Sequence, residues 1–185
     1  MLFRRDALEQ LHHDLSGDHV RMGAAFIATL DEALPAGRKL PRDPDGAFNL
    51  RAKAEGSIRE GTKKQAGFNL NSPKQLLEVF TLLLGTKPVD NNGKPSASRA
   101  ALREYAGDHR VVADYLAWKR VEKRRQMVEA LLKHLGSTGF IKASYMQLGA
   151  DTGRMSCIGP NLQQIPRDSR FRACVKAPAG WKLVV

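Results

Sequence analysis

The sequence predicts a mainly α fold with a small antiparallel β element, an α+β chain, and three observations carry that expectation. Apolar residues recur at spacings of three and four in three separate stretches, which puts their side chains on one face of a helix. Connections rich in Pro, Gly and charge divide those stretches. After Gly136 to Gly139 the helical period gives way to short strands and turns with apolar alternation, Phe140, Ile141, Tyr145 and Met146 among them, so the β element falls within residues 138–185.

The elements follow in order. Asp6 to Leu34 reads as helical through Leu8, Leu11 and Leu15, then Met22, Phe26, Leu30 and Leu34, with Ser16-Gly17 a candidate break between two helices. An irregular basic connection follows, and its cations from Arg51 to Lys64 either touch phosphates or form a solvated loop. In FNLNSPKQLLEVFTLLLG, Asn71 or Ser72 caps a helix whose first turn tolerates Pro73, and Leu76, Leu77, Val79, Phe80 and Leu83 supply its apolar face up to Gly85. TKPVDNNGKPSAS is a loop. Its Gly93-Lys94 pair is not a phosphate loop, because Pro95 stands where Ser or Thr and a helix are required. Ser96 or Ser98 then caps a short helix through Ala100, Leu102 and Tyr105.

The longest helix expected is HRVVADYLAWKRVEKRRQMVEALLKHL. Projected at about 100° per residue, Val121, Val128, Leu132 and Leu135 share one side, with Lys119, Arg120, Lys123 and Arg124 on an adjoining arc from which Glu122 and Glu129 are absent. Such a helix packs on a domain while presenting charge to a phosphate backbone; a solvated face is the other reading.

Composition favours the phosphate reading. Lys plus Arg number 30 against 19 Asp plus Glu, a net charge of +11, which suits a polyanionic partner. At 185 residues the chain is long enough for one domain, or one domain and part of a second. No apolar run reaches membrane-spanning length and MLFRRDALEQL lacks a signal peptide's features, so the expectation is a cytoplasmic protein with no membrane partner. Cys157 and Cys174 form no C-x-x-C pair and read as reduced packing residues.

The densest recognition-type cluster comes last. Arg154, Asn161, Gln163, Gln164, Arg167, Arg170 and Arg172 crowd a span interrupted by Pro160 and Pro166, which cannot be one regular helix. Fork-shaped and amide donors on an irregular backbone suit hydrogen bonds to nucleic-acid edges and phosphates; a polar loop tied by its own side chains is the alternative. HHDLSGDH, with His12, His13, Asp14, Asp18 and His19, has metal-ligand residue types but reads as helix surface, and neither Ser156 nor Cys157 has an identifiable base. Trp118 and Trp181 read as packing residues rather than base-stacking ones.

TGRMS, PNLQQIPR, FRACVKAPAGWKLVV and, upstream, FNLNSPKQLLEVF and GKPSASRAAL together resemble the family A DNA polymerases over Gly67 to Val185, with residues 1–66 more loosely similar. QQIPR, where many members read IPVR, looks like the phage or prophage branch. The resemblance implies a thumb-like helical region at 67–137 and the start of a palm at 138–185, preceded by an N-terminal helical segment and basic connection at 1–66. It implies that Arg154 enters the minor groove at the primer terminus, that Gln147, Asn161 and Gln164 lie near that groove, and that Lys119 and Lys123 grip the duplex backbone, with Arg167 a looser match. The minor groove shows similar acceptors in every correct pair, so donors aimed there check geometry without reading sequence.

The family's first catalytic aspartate follows the strand matching Trp181 to Val185, and this chain stops before it. The resemblance therefore implies a fragment of a DNA-directed DNA polymerase whose partners are primer-template DNA and the remaining palm and fingers. No catalytic or metal-binding residue is expected here, and Mg2+ belongs to the complete polymerase. A noncatalytic duplex-binding or accessory protein with the same scaffold is the alternative.

Overall fold

Leu8, Leu11 and Leu15 are buried along one side of a single uninterrupted helix, α1 (Arg5–Ala33). The candidate break at Ser16-Gly17 does not occur. A helical glycine costs about 1 kcal/mol against alanine, too little to end a helix held by its neighbours' burial, and the Ser16 hydroxyl donates to the His12 carbonyl at 2.7 Å. The computed structural model describes residues 2–35, 70–149 and 152–182. Arg51 to Lys64, Phe68-Asn69 and Leu183 to Val185 lie outside them.

The described residues divide into two compact units, Met1–Met22 with Trp118–Val185, and Gly23–Ala117. The second unit holds α2 (Pro73–Leu84), α3 (Arg99–Leu102) and the first turns of α4 (Arg110–His134). Ser72 caps α2 by accepting from the Gln75 amide, Pro73 occupies the first turn and Gly85 ends the helix at φ 68°. Ser98 caps α3, and the chain tightens into a 3-10 turn at Arg103–Ala106. Phe26, Leu30, Leu76, Phe80 and Leu102 are buried here, and the Tyr115 ring packs 5.3 Å from Phe26 and 5.1 Å from Phe80. In TKPVDNNGKPSAS the Asp90 carboxylate accepts from the Asn92 and Lys94 amides, a tight turn rather than a phosphate cradle.

The first unit packs Leu8, Leu11 and Leu15 of α1 with Val121, Val128 and Leu131 of α4, with Leu135 just beyond that helix and with Phe171 of α5 (Ser169–Ala173). Two antiparallel pairs complete it. β2 (Ser144–Met146) pairs with β3 (Ser156–Ile158), Tyr145 opposite Cys157. β1 (Leu2–Phe3) pairs with β4 (Val175–Lys176), Phe3 opposite Val175. The fold class is therefore the one expected, mainly helical with small antiparallel pairing, and β1 is an addition to it. Alternation in the β2 stretch does not mark a buried face: Ile141 is buried, while Phe140, Tyr145 and Met146 are exposed.

Gly139 is what lets the N-terminal strand dock. Its φ is 78°, its carbonyl accepts from the Phe3 amide at 2.8 Å, and a β-carbon there would stand 3.0 Å from the Phe3 carbonyl oxygen. Gly17, in contrast, has open space around it. Gly139→Ala is expected to lower stability by about 1–2 kcal/mol, and Gly17→Ala to raise it by up to about 1 kcal/mol. Urea unfolding checks both; equal effects would contradict the role given to Gly139.

Candidate nucleic-acid interface

The recognition segment is built on a buried thiol. Cys157 on β3 donates to the Pro160 carbonyl at 3.5 Å and accepts from the Leu162 amide at 3.4 Å, which stitches the strand to a 3-10 turn at Leu162–Gln164. Asn161 caps that turn, its Oδ1 accepting from the Gln163 amide at 3.1 Å. With the acceptor end committed, Asn161 presents its Nδ2 as the free end, a donor. The Gln163 Nε2 donates to the Met155 carbonyl at 3.2 Å, tying the turn to the residue that follows Arg154. Gln163 is thus a brace, and Arg154, Gln164 and Gln147 are exposed with no side-chain partner among the described residues.

Helix α4 supplies the facing wall. A groove of about 380 Å³ is lined by Lys123, Gln126, Met127 and His134 of α4 and by Pro160 and Asn161. It brings together two predicted residues, Lys123 and Asn161, that lie far apart in sequence. Gln126 and His134 were not anticipated, although spacing from Lys123 of three and eleven residues puts both on its face of the helix.

The basic arc of α4 is narrower than the projection implies. Lys119 Nζ lies 2.6 Å from Glu122 Oε2 and 4.7 Å from the centroid of the Trp118 ring, so Glu122 is not remote from the cations. Residues three apart are helical neighbours, and the side chains close the angular gap. Arg124 Nη1 pairs with Asp168 at 3.1 Å and is turned toward α5. Arg120 and Lys123 remain, both exposed and without an ion pair among the described residues.

The arginine-rich end also sorts into two kinds. Asp168 caps α5, accepting from the Arg170 amide at 3.0 Å, so part of the stretch expected to be irregular is helical. An Asp followed by Ser-Arg-Phe-Arg is a legible cap, obscured by the prolines before it. The Arg170 amide, then its guanidinium and the charge of Arg124, hold the Asp168 carboxyl below its ordinary value. Arg167 and Arg172 are exposed and unpaired among the described residues.

HHDLSGDH does not converge on an ion. Asp14 accepts from Gln10, Asp18 pairs with Arg21, and His19 lies against Trp118 with ring centroids 5.4 Å apart. Trp118 is buried as expected, whereas Trp181 is exposed in a turn closed by its amide on the Pro178 carbonyl. No helix is long and apolar enough to cross a membrane among the described residues.

Comparison with known proteins bears on this geometry. The family described as DNA polymerase family A matches residues 49–185. DNA polymerase I of Chloroflexus aurantiacus is 35% identical over 135 residues, 65% of this chain and 14% of the relative. The thermostable DNA polymerase I of Thermus thermophilus is 33% identical over 151 residues, 75% of this chain and 18% of the relative. The fold is similar to the POL domain of Pol1 from M. smegmatis, solved in complex with DNA primer-template and dNTP: TM-score 0.62, 23% identity, covering 94% of this chain and 25% of that one. The chain spans 12% to 18% of the length of such curated relatives.

Burial against Trp118 pushes the His19 imidazole below its ordinary value of 6.5, helped by Arg125 and opposed by Glu122. The unfolded chain then binds the proton more readily, so this contribution is present above about pH 6.5 and lost as pH falls toward the folded value. The urea midpoint of the wild type is expected to fall between about pH 7 and 5 more steeply than that of His19→Phe. Parallel curves would contradict it.

Proposed function

This chain belongs to DNA polymerase family A, and from that premise we propose that these residues hold the primer-template duplex of a DNA-directed DNA polymerase during replication. The observation that carries the reading is the groove that Lys123 and Asn161 line together, with the donors Arg154, Gln147 and Gln164 exposed to solvent. Amide and guanidinium donors can check base-pair geometry from the minor groove, where acceptors recur at similar places in every correct pair. Lys123 and Arg120 add a contact with phosphates that is independent of sequence. Lys119 reaches a phosphate only by leaving Glu122, so its part is smaller.

Within this reading residues 67–137 act as a thumb-like grip and 138–185 as the start of a palm, in the cytoplasm, and QQIPR supports a phage-like branch. Arg167 contributes to the backbone contact. Nucleotidyl transfer, and the Mg2+ it uses, would fall to further palm and fingers sequence, the chain's second partner. The same grip without catalysis, an accessory duplex-binding protein, is the second reading.

The test is binding to a primer-template junction and to blunt duplex of equal length across a salt series. The junction is expected to bind more tightly, with Arg154→Ala removing the preference. Lys123→Ala is expected to reduce the slope of log K against log salt by about 0.9, one phosphate contact, and Lys119→Ala to reduce it less. Equal weak binding to both DNAs, indifferent to Arg154, would contradict the reading. Primer extension after adding the downstream polymerase sequence separates the two readings: incorporation supports the polymerase, and none supports the accessory protein.

A further inference from the structure

One carboxylate joins three helices of the first unit. Asp168 Oδ2 lies 3.1 Å from Arg124 Nη1 on α4 and 3.3 Å from Arg170 Nη2 on α5. Asp168 Oδ1 accepts from the Arg170 amide at 3.0 Å and from its Nε at 3.4 Å. Through Arg170 Nη1 the contact continues to Asp18 of α1 at 3.7 Å. The Asp168 side chain is 14% exposed and Arg124 30%, so this is a sheltered pair, where charge attraction is screened less than at an open surface.

Its place in the chain matters more than its strength. Arg124 adjoins Lys123, one wall of the groove, and Asp168 follows Gln164 by only Ile165, Pro166 and Arg167, with Ile165 packed on the core. The turn that carries Asn161 and Gln164 is therefore anchored just beyond its end to the helix that carries Lys123.

We propose that Asp168 is a positioning residue for duplex binding: by clamping Arg124 it sets the separation of Lys123 from the Asn161–Gln164 turn, and it withholds Arg124 and Arg170 from the phosphates. The proposal rests on the duplex-holding reading. It deepens that reading by assigning a residue that touches no DNA.

Two effects follow that a merely structural aspartate would not produce together. Asp168→Asn keeps an acceptor for the Arg170 amide but removes the charge. The ratio of junction to blunt-duplex affinity should fall about tenfold, the scale of one charge-assisted contact. The salt slope should steepen by about 1 to 2 as the released arginines reach phosphates. Arg124→Gln breaks the same pair from α4 and leaves the cap intact; it should lower the ratio similarly without steepening the slope by as much. The double variant should lose little more than either single one.

These affinities are measured on the whole chain, with melting temperatures alongside. Wild-type preference and slope in a folded Asp168→Asn would overturn the proposal, and so would a loss that only tracks melting temperature with an unchanged slope. If Asp168→Asn does not fold, a wild-type ratio in Arg124→Gln overturns it. A wild-type chain that itself lacks junction preference overturns the duplex reading, and this proposal with it.

Discussion

Helix α4 has to bury Val121, Val128 and Leu131, and that burial decides which of its cations are free. Each large aliphatic side chain taken from water contributes on the order of 1.5–3 kcal/mol, well above the few tenths typical of an exposed helical ion pair. Packing therefore sets the rotation of the helix, and the charges accept what is left. Arg124 falls beside the core and pairs with Asp168, Lys119 folds back on Glu122 and Trp118, and Lys123 projects into the groove. The net charge of +11 is a poor guide to the binding surface for this reason. A cation already paired with a carboxylate must give up that partner before it can serve a phosphate.

The recognition turn follows the same logic with hydrogen bonds in place of burial. The acceptor of Asn161 is used by the Gln163 amide, the donor of Gln163 by the Met155 carbonyl, and the Cys157 thiol links both neighbouring segments. Side chains held in this way lose less freedom on binding, so more of each contact's energy is available as affinity. That arrangement suits the proposed duplex grip, which would check geometry rather than read sequence.

Much of this was legible in the sequence because the signals were local. Ser72-Pro73 and Gly85 bracket α2 through cap chemistry, and the leucine spacings of α1 locate its buried side. What escaped were pairings across long stretches of chain. β1 is two residues long and meets β4 near the other end of the described residues, so no periodicity announces it. Ser16-Gly17 reads as a candidate break on local propensity alone, which leaves out the burial on either side. The arc of α4 looked wholly basic because a projection of Cα positions ignores side-chain reach and the presence of Asp168. The exposed side chains of Tyr145, Met146 and Ile158 defeat the alternation rule, which assumes that one face of a strand is covered.

In the proposed function duplex DNA lies along the groove between α4 and the Asn161–Gln164 turn. Hydrogen exchange of the backbone amides, measured with and without a primer-template junction, tests it most directly. Slowed exchange is expected at Gln147–Leu148 and at Leu162–Gln164, with α2 unchanged. Slowed exchange confined to α2 and α3, or none in the 3-10 turn at saturating DNA, would contradict it.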